Sequence, residues 1–100
     1  MPRPKIARRI SCRPAYQCFK PNGVPMTELT AIPLAADELE ALKLVDMNGL
    51  NQQAAAQVLG VSRQTLGNIV ASARHKVASA LVGGMALELA SPPQRDREKE

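Results

Sequence analysis

Tryptophan is absent from this chain, and Tyr16 and Phe19 are its only aromatic residues. Readers of single-stranded nucleic acid need a platform of several rings, so base stacking is not the expected use of these two; they are expected to plug the edge of a helical core. His75 is the sole histidine, and Cys12 and Cys18 are the only cysteines, with five residues between them. That spacing fits neither a zinc knuckle nor a redox CxxC pair, and a metal site would need two more ligands. Two reduced thiols are the expected state, with a bridge inside an oligomer or an iron-sulfur role as the alternatives. No metal and no cofactor are expected. The chain also lacks a Ser-His-Asp set and a Gly-rich phosphate loop, which argues against an enzyme. No run of about 20 apolar residues is present to span a bilayer. The first residues lack the apolar block of a secretory signal, so a cytoplasmic protein without membrane contact is expected.

What the chain does have is an uneven charge. The net charge of +4 divides into +6 over residues 1–20, which hold Arg3, Lys5, Arg8, Arg9, Arg13 and Lys20 and no acid. Residues 21–60 carry one base and five acids, residues 61–90 three bases and one acid, and the last ten residues balance. Basic charge therefore sits on the N-terminal arm and on the segment after residue 60, as in a protein that meets a polyanion with two of its surfaces. One hundred residues make one domain. A chain of that size buries only roughly 60 to 65% of the surface its unfolded form exposes, so self-association would help it.

Three regions are expected: a basic arm and Pro-rich loop over 1–33, a helical domain over 34–90, and a disordered tail over 91–100. Pro2 and Pro4 and the mutually repelling bases make the opening an extended arm, lying along phosphates or in a minor groove, or else a solvated tail. From Ile10 to Leu34, Pro14, Pro21, Asn22-Gly23, Pro25 and Pro33 favour an ordered loop or irregular hairpin over a long strand. Asp37 to Asn48 spaces Leu39, Leu42 and Val45 as a helix stripe and stops at Gly49. Its acids Asp37, Glu38 and Glu40 are expected on a solvated face, complementing the positive helix end.

The centre of the chain is QQAAAQVLGVSRQTLGNIVA, Gln52 to Ala71. It is predicted to be a helix capped by Asn51, a tight turn at Gly60, and a second helix capped by Ser62. Ala56 and Gly60 supply the small residues a close crossing needs, and Ala55, Leu59, Val61, Leu66 and Ile69 supply the core. Along the second helix, Leu66, Ile69, Val70, Ala73, Val77, Ala80 and Leu81 form the inner stripe, while Gln64, Asn68, Ala71, His75 and Ser79 point outward. Gly83-Gly84 ends that helix. The alternation from Met85 to Ala90 then suits a short strand, pairing with the arginine-rich N-terminal run or with its copy in a partner subunit.

The stretch AAAQVLGVSRQTLGNIVASARHKVASAL resembles the helix-turn-helix in the fourth region of sigma factors of the sigma-70 class. Together with DELEALKLVDMNGL and MPRPKIARRISCRPAYQCFKPNGVP, it is similar to a family of short uncharacterised prokaryotic predicted DNA-binding proteins, over roughly Pro2 to Ala90. The resemblance implies a mainly α, three-helix domain and double-stranded DNA as the ligand.

In such a protein the second motif helix enters the major groove. Gln64 and Asn68 are then the base readers, each able to pair bidentately with adenine, with Arg63 reaching guanine or a phosphate. Ser62, Thr65, Arg74, Lys76, Arg3, Lys5, Arg8 and Arg9 are expected at phosphates. The function expected is a sequence-specific transcriptional regulator, acting as a homodimer on spaced half-sites. A protein-interaction module of the transcription machinery, associated with RNA polymerase and without DNA specificity of its own, is the alternative. Its surface would be the acidic helix from Asp37 to Asp46.

Overall fold

Two polar side chains set where the central helices begin. In the computed structural model, which describes residues 17–90, Asn51 has extended backbone and its side chain accepts the Ala54 N–H, opening α2 (Gln52–Leu59). Ser62 accepts the Thr65 N–H at 3.1 Å and opens α3 (Arg63–Gly83). Each satisfies a donor that helix geometry would otherwise leave orphaned, an effect of about 1 kcal/mol. Between them Gly60 stands at φ +83°, with its N–H on the Ala56 carbonyl. An L side chain is disfavoured in that left-handed conformation, so the turn depends on glycine. Both caps and the turn lie where the sequence puts them.

The core forms where these helices meet the one before them. α1 (Ala36–Leu42) runs on into a π-helical turn, Lys43–Met47, closed by the Asn48 N–H on the Lys43 carbonyl. Ala41 and Leu44 from this segment join Ala55, Ala56 and Leu59 of α2 and Leu66, Ile69 and Val70 of α3 in one buried cluster, with Val61 half-buried against it. Small residues dominate the α2 side, which lets the backbones approach closely.

A three-stranded sheet completes the domain. β1 (Cys18–Phe19), β2 (Ala31–Leu34) and β3 (Ala86–Leu89) lie in the order β1-β3-β2. β3 runs antiparallel to β1, with Phe19 opposite Leu87, and parallel to β2, with Leu34 opposite Leu89. A parallel pair needs a long crossover, and here all three helices provide it. The architecture is mainly helical with a short C-terminal strand, as expected, but β3 finds its partners at 18–19 and 31–34 of its own chain. The expected boundary between residues 33 and 34 falls inside β2. Pro33 concealed that strand; it is tolerated because β2 is an edge strand, where a missing donor interrupts no ladder.

Three further expectations change. Glu38 and Glu40 are buried, at 8 and 0% exposure, instead of forming a solvated face. α1 lies under α3, and that cover reaches its acidic side. Leu81 is 77% exposed although it continues the inner stripe. By that turn α3 has passed the end of the α1 and α2 layer, and the buried Ala80 holds the covered side about 100° away. Phe19 is 53% exposed and lines an open hollow, because β1 is a two-residue edge strand with little above it. The expectations for Arg3, Lys5, Arg8, Arg9, Arg13, Cys12, Tyr16 and the 91–100 tail concern residues outside those described.

Gly67 is half-buried inside α3, and a Cβ there would meet only the Gln52 Oε1 atom, at 3.3 Å. That atom ends a flexible side chain and can yield. Alanine is favoured over glycine inside a helix by about 1 kcal/mol. Gly67→Ala should therefore raise the urea midpoint; a lowered midpoint would show that the Gln52 side chain is held in place.

Candidate functional site

The start of α3 carries the polar groups the sequence singles out. Arg63, Gln64 and Asn68 are all exposed, and the spacing of four puts Gln64 and Asn68 on one ridge, continued by the exposed Ala71. Beneath that ridge Leu66, Ile69 and Val70 are buried, which fixes the rotation of the helix about its axis. The Ser62 hydroxyl also donates to Thr65 Oγ1 at 2.9 Å, so the cap is a small closed unit. Further along, His75 is exposed and its Nε2 lies 3.5 Å from the Ser79 hydroxyl. At the start of α3 Arg63 supplies the one formal charge of the first two turns, and α2 carries none. The unpaired amides of the first turn add positive potential there.

Arg74 and Lys76, expected at phosphates, are engaged inside the chain. Arg74 forms a bidentate pair with Asp46, Nη2 to Oδ1 at 2.7 Å and Nε to Oδ2 at 3.1 Å, tying the middle of α3 to the π-helical turn. Hydrogen bonding by Arg74 holds the Asp46 carboxyl below its ordinary range and raises the guanidinium above its own. Lys76 donates to Glu38 Oε1 at 2.8 Å and to the Pro33 carbonyl at 3.0 Å.

Glu38 is the residue that sequence reasoning missed. Its Oε1 accepts from the Ala35 N–H at 2.8 Å as well as from Lys76, and its Oε2 accepts from the Ser72 hydroxyl at 2.6 Å. One carboxylate thus joins the end of β2, the first turn of α1 and the middle of α3. The local half was legible: an acid three residues after the N-cap reaches back to the cap N–H, and Ala35 has no side-chain acceptor to complete the reciprocal bond. The long-range half has no sequence signal. Burial pushes this carboxyl up, but the bonds from Lys76, Ser72 and Ala35 outweigh it and hold it below its ordinary 4.5.

Among the described residues no group of three or more His, Cys, Asp or Glu side chains could hold a metal ion. Cys18 is a free, exposed thiol whose Sγ lies 3.7 Å from Met26 Sδ. No helix among the described residues is long and apolar enough to cross a membrane.

Residues 1–91 match the family model described as protein of unknown function DUF134. The chain belongs to this family. A UPF0251 protein of Aeromonas salmonicida (strain A449) is 62% identical over 94 residues, covering 93% of this chain and 92% of that protein. A UPF0251 protein of Vibrio vulnificus (strain YJ016) is 57% identical over 100 residues, covering 100 and 99%. One of Shewanella baltica is 51% identical over 96 residues, covering 96 and 98%. No solved structure matches the chain.

The Glu38 carboxylate gives this DUF134 chain a specific acid sensitivity. Because the folded state lowers its pKa from 4.5, its contribution to stability is fully present above pH 4.5 and is lost as pH falls through the lower folded value. Glu38→Gln should cost about 1 to 3 kcal/mol at neutral pH. It should also flatten the decline of the urea midpoint below pH 4.5. An unchanged acid limb in the variant would show that other carboxylates carry it.

Proposed function

We propose that the protein is a sequence-specific double-stranded DNA-binding protein of the cytoplasm, acting as a transcriptional regulator and not as an enzyme. The observation that carries this is the exposed ridge of Gln64 and Asn68, with Arg63 beside it, at the capped start of a helix that follows a tight glycine turn. The start of α3 enters the major groove. Gln64 and Asn68 read base edges by paired amide hydrogen bonds, and Arg63 reaches guanine or the adjacent phosphate. Ser62 and Thr65 lie at the helix end that attracts a phosphate. Arg74 and Lys76 serve a different purpose, setting the angle of α3 through Asp46 and Glu38. The remaining phosphate contacts fall to Arg3, Lys5, Arg8 and Arg9. One module of this size covers a short site, so tight binding calls for two copies on spaced half-sites.

A second observation favours the interaction-module alternative, with RNA polymerase as the partner. Leu39, Leu42 and Met47 line an open apolar hollow of about 510 Å³ beside Lys43 and Asp46, and Met47 is 72% exposed. A protein contact there would respond little to salt. DNA binding would weaken steeply instead, with a log–log slope of about −0.9 per phosphate contact.

Selection from a random duplex library, repeated at two salt concentrations, separates the two. Asn68→Ala should keep the wild-type urea midpoint and relax base preference at one position by about 1 to 3 kcal/mol. Absence of any salt-dependent duplex binding would rule the DNA function out, and unchanged selection by the variant would remove Asn68 as a reader.

A further inference from the structure

Gln52, the first residue of α2, carries a side chain whose polar end the fold does not use. It is half-buried and lies across Gly67 of α3, where an added Cβ would stand 3.3 Å from its Oε1 and within 4 Å of no other side chain. Among the described residues its amide has no hydrogen-bond partner. Glycine weakens the interior of a helix, so the gap that receives this amide works against the stability of α3.

The gap has a definite place on the helix. With 3.6 residues per turn, Gly67 stands about 60° round α3 from Gln64 and about 40° from both Ala71 and Arg63. Gln52 therefore flanks the exposed ridge on the side where α2 crosses, one turn from Arg63. That direction decides what it can meet. The major groove is about 12 Å wide and a helix with its side chains is about 10 to 12 Å across. With the ridge facing the groove floor, the helix fills the groove, and a group to its side meets the wall, which is sugar and phosphate.

We infer that Gln52 is a phosphate-contacting residue of the proposed DNA interface, and that Gly67 is the positioning residue that seats it. The Gln52 Oε1 is turned toward α3, which leaves the Nε2 hydrogens as donors to a phosphate oxygen. An amide adds no charge there. The contact fixes the depth and register at which α3 lies and carries no base preference of its own.

The inference rests on the DNA-binding reading, and its test separates the two. Affinity is measured by fluorescence anisotropy, at two salt concentrations, for a random duplex and for the duplex that the wild-type chain selects from a random library. Gln52→Ala should weaken both by about fivefold and leave their ratio and the salt slope unchanged, because a neutral donor releases no counterion. Gln52→Glu is nearly isosteric and puts an acid in a first helical turn. Its urea midpoint should hold or rise while its affinity falls at least about tenfold. Val58→Glu adds the same charge further along α2, on a side chain that is 45% exposed. It should change affinity by less than about threefold. Gly67→Ala should lose affinity despite its higher midpoint, and should lose none in a Gln52→Ala background.

A Gln52→Ala variant that binds like the wild type, or that changes base preference, would overturn the inference and leave DNA binding standing. An equal loss from Gly67→Ala with and without Gln52 would overturn the seating role. No duplex binding by the wild type would end both readings together.

Discussion

The burial of Leu59, Leu66 and Val70 in one cluster is the constraint on which the rest depends. Those side chains come from both sides of the Gly60 turn, so sealing them from water fixes the crossing of α2 and α3 and also the roll of α3 about its own axis. Fully burying an aliphatic side chain of this size is worth about 1.5 to 3 kcal/mol. Whatever lies on the opposite side of α3 is then held in a defined direction, and in this chain that is Gln64 and Asn68. The polar bonds act on the angle instead: Glu38 through Ser72 and Lys76, and Asp46 through Arg74, pin the middle of α3 to the segment beneath it. Apolar burial gives the helix its place, and the ion pairs limit how far it can swing.

Charge divides along the same lines. Two of the three bases on α3 are matched by acids of the preceding helical segment, which leaves Arg63 at the start of the helix. Neutral amides discriminate by hydrogen-bond pattern and do little for affinity, because they neutralise no phosphate. In the proposed function, selectivity and attraction are therefore located apart: the former on the ridge, the latter on Arg63 and on Arg3, Lys5, Arg8 and Arg9.

Much of this was legible in the sequence where the chemistry is local. Asn51 and Ser62 cap helices because an acceptor just before a helix finds its donor three residues on, and Gly60 and Gly84 end helices because positive φ suits them. Spacing named the buried residues of α2 and the first half of α3 for the same reason. It failed where the outcome depends on what covers a surface. Leu81 has the right phase and nothing above it, and Phe19 stands on a strand too short to be roofed. Glu38 looked like any acid in a first turn, because Ser72 and Lys76 lie 34 and 38 residues away. β3 showed its alternation, but β2 was hidden by Pro33, and no periodicity says which strand will pair with which. The site was half legible: the ridge follows from helix phase, whereas the capture of Arg74 and Lys76 follows from packing.

Amide chemical shifts recorded by nuclear magnetic resonance during titration with a selected duplex test the central claim most directly. The account predicts that the side-chain amides of Gln64 and Asn68 and the backbone amides from Ser62 to Asn68 move most, while Leu39 to Met47 stay still. Changes confined to the Leu39–Met47 hollow, or no change at the start of α3, would contradict it.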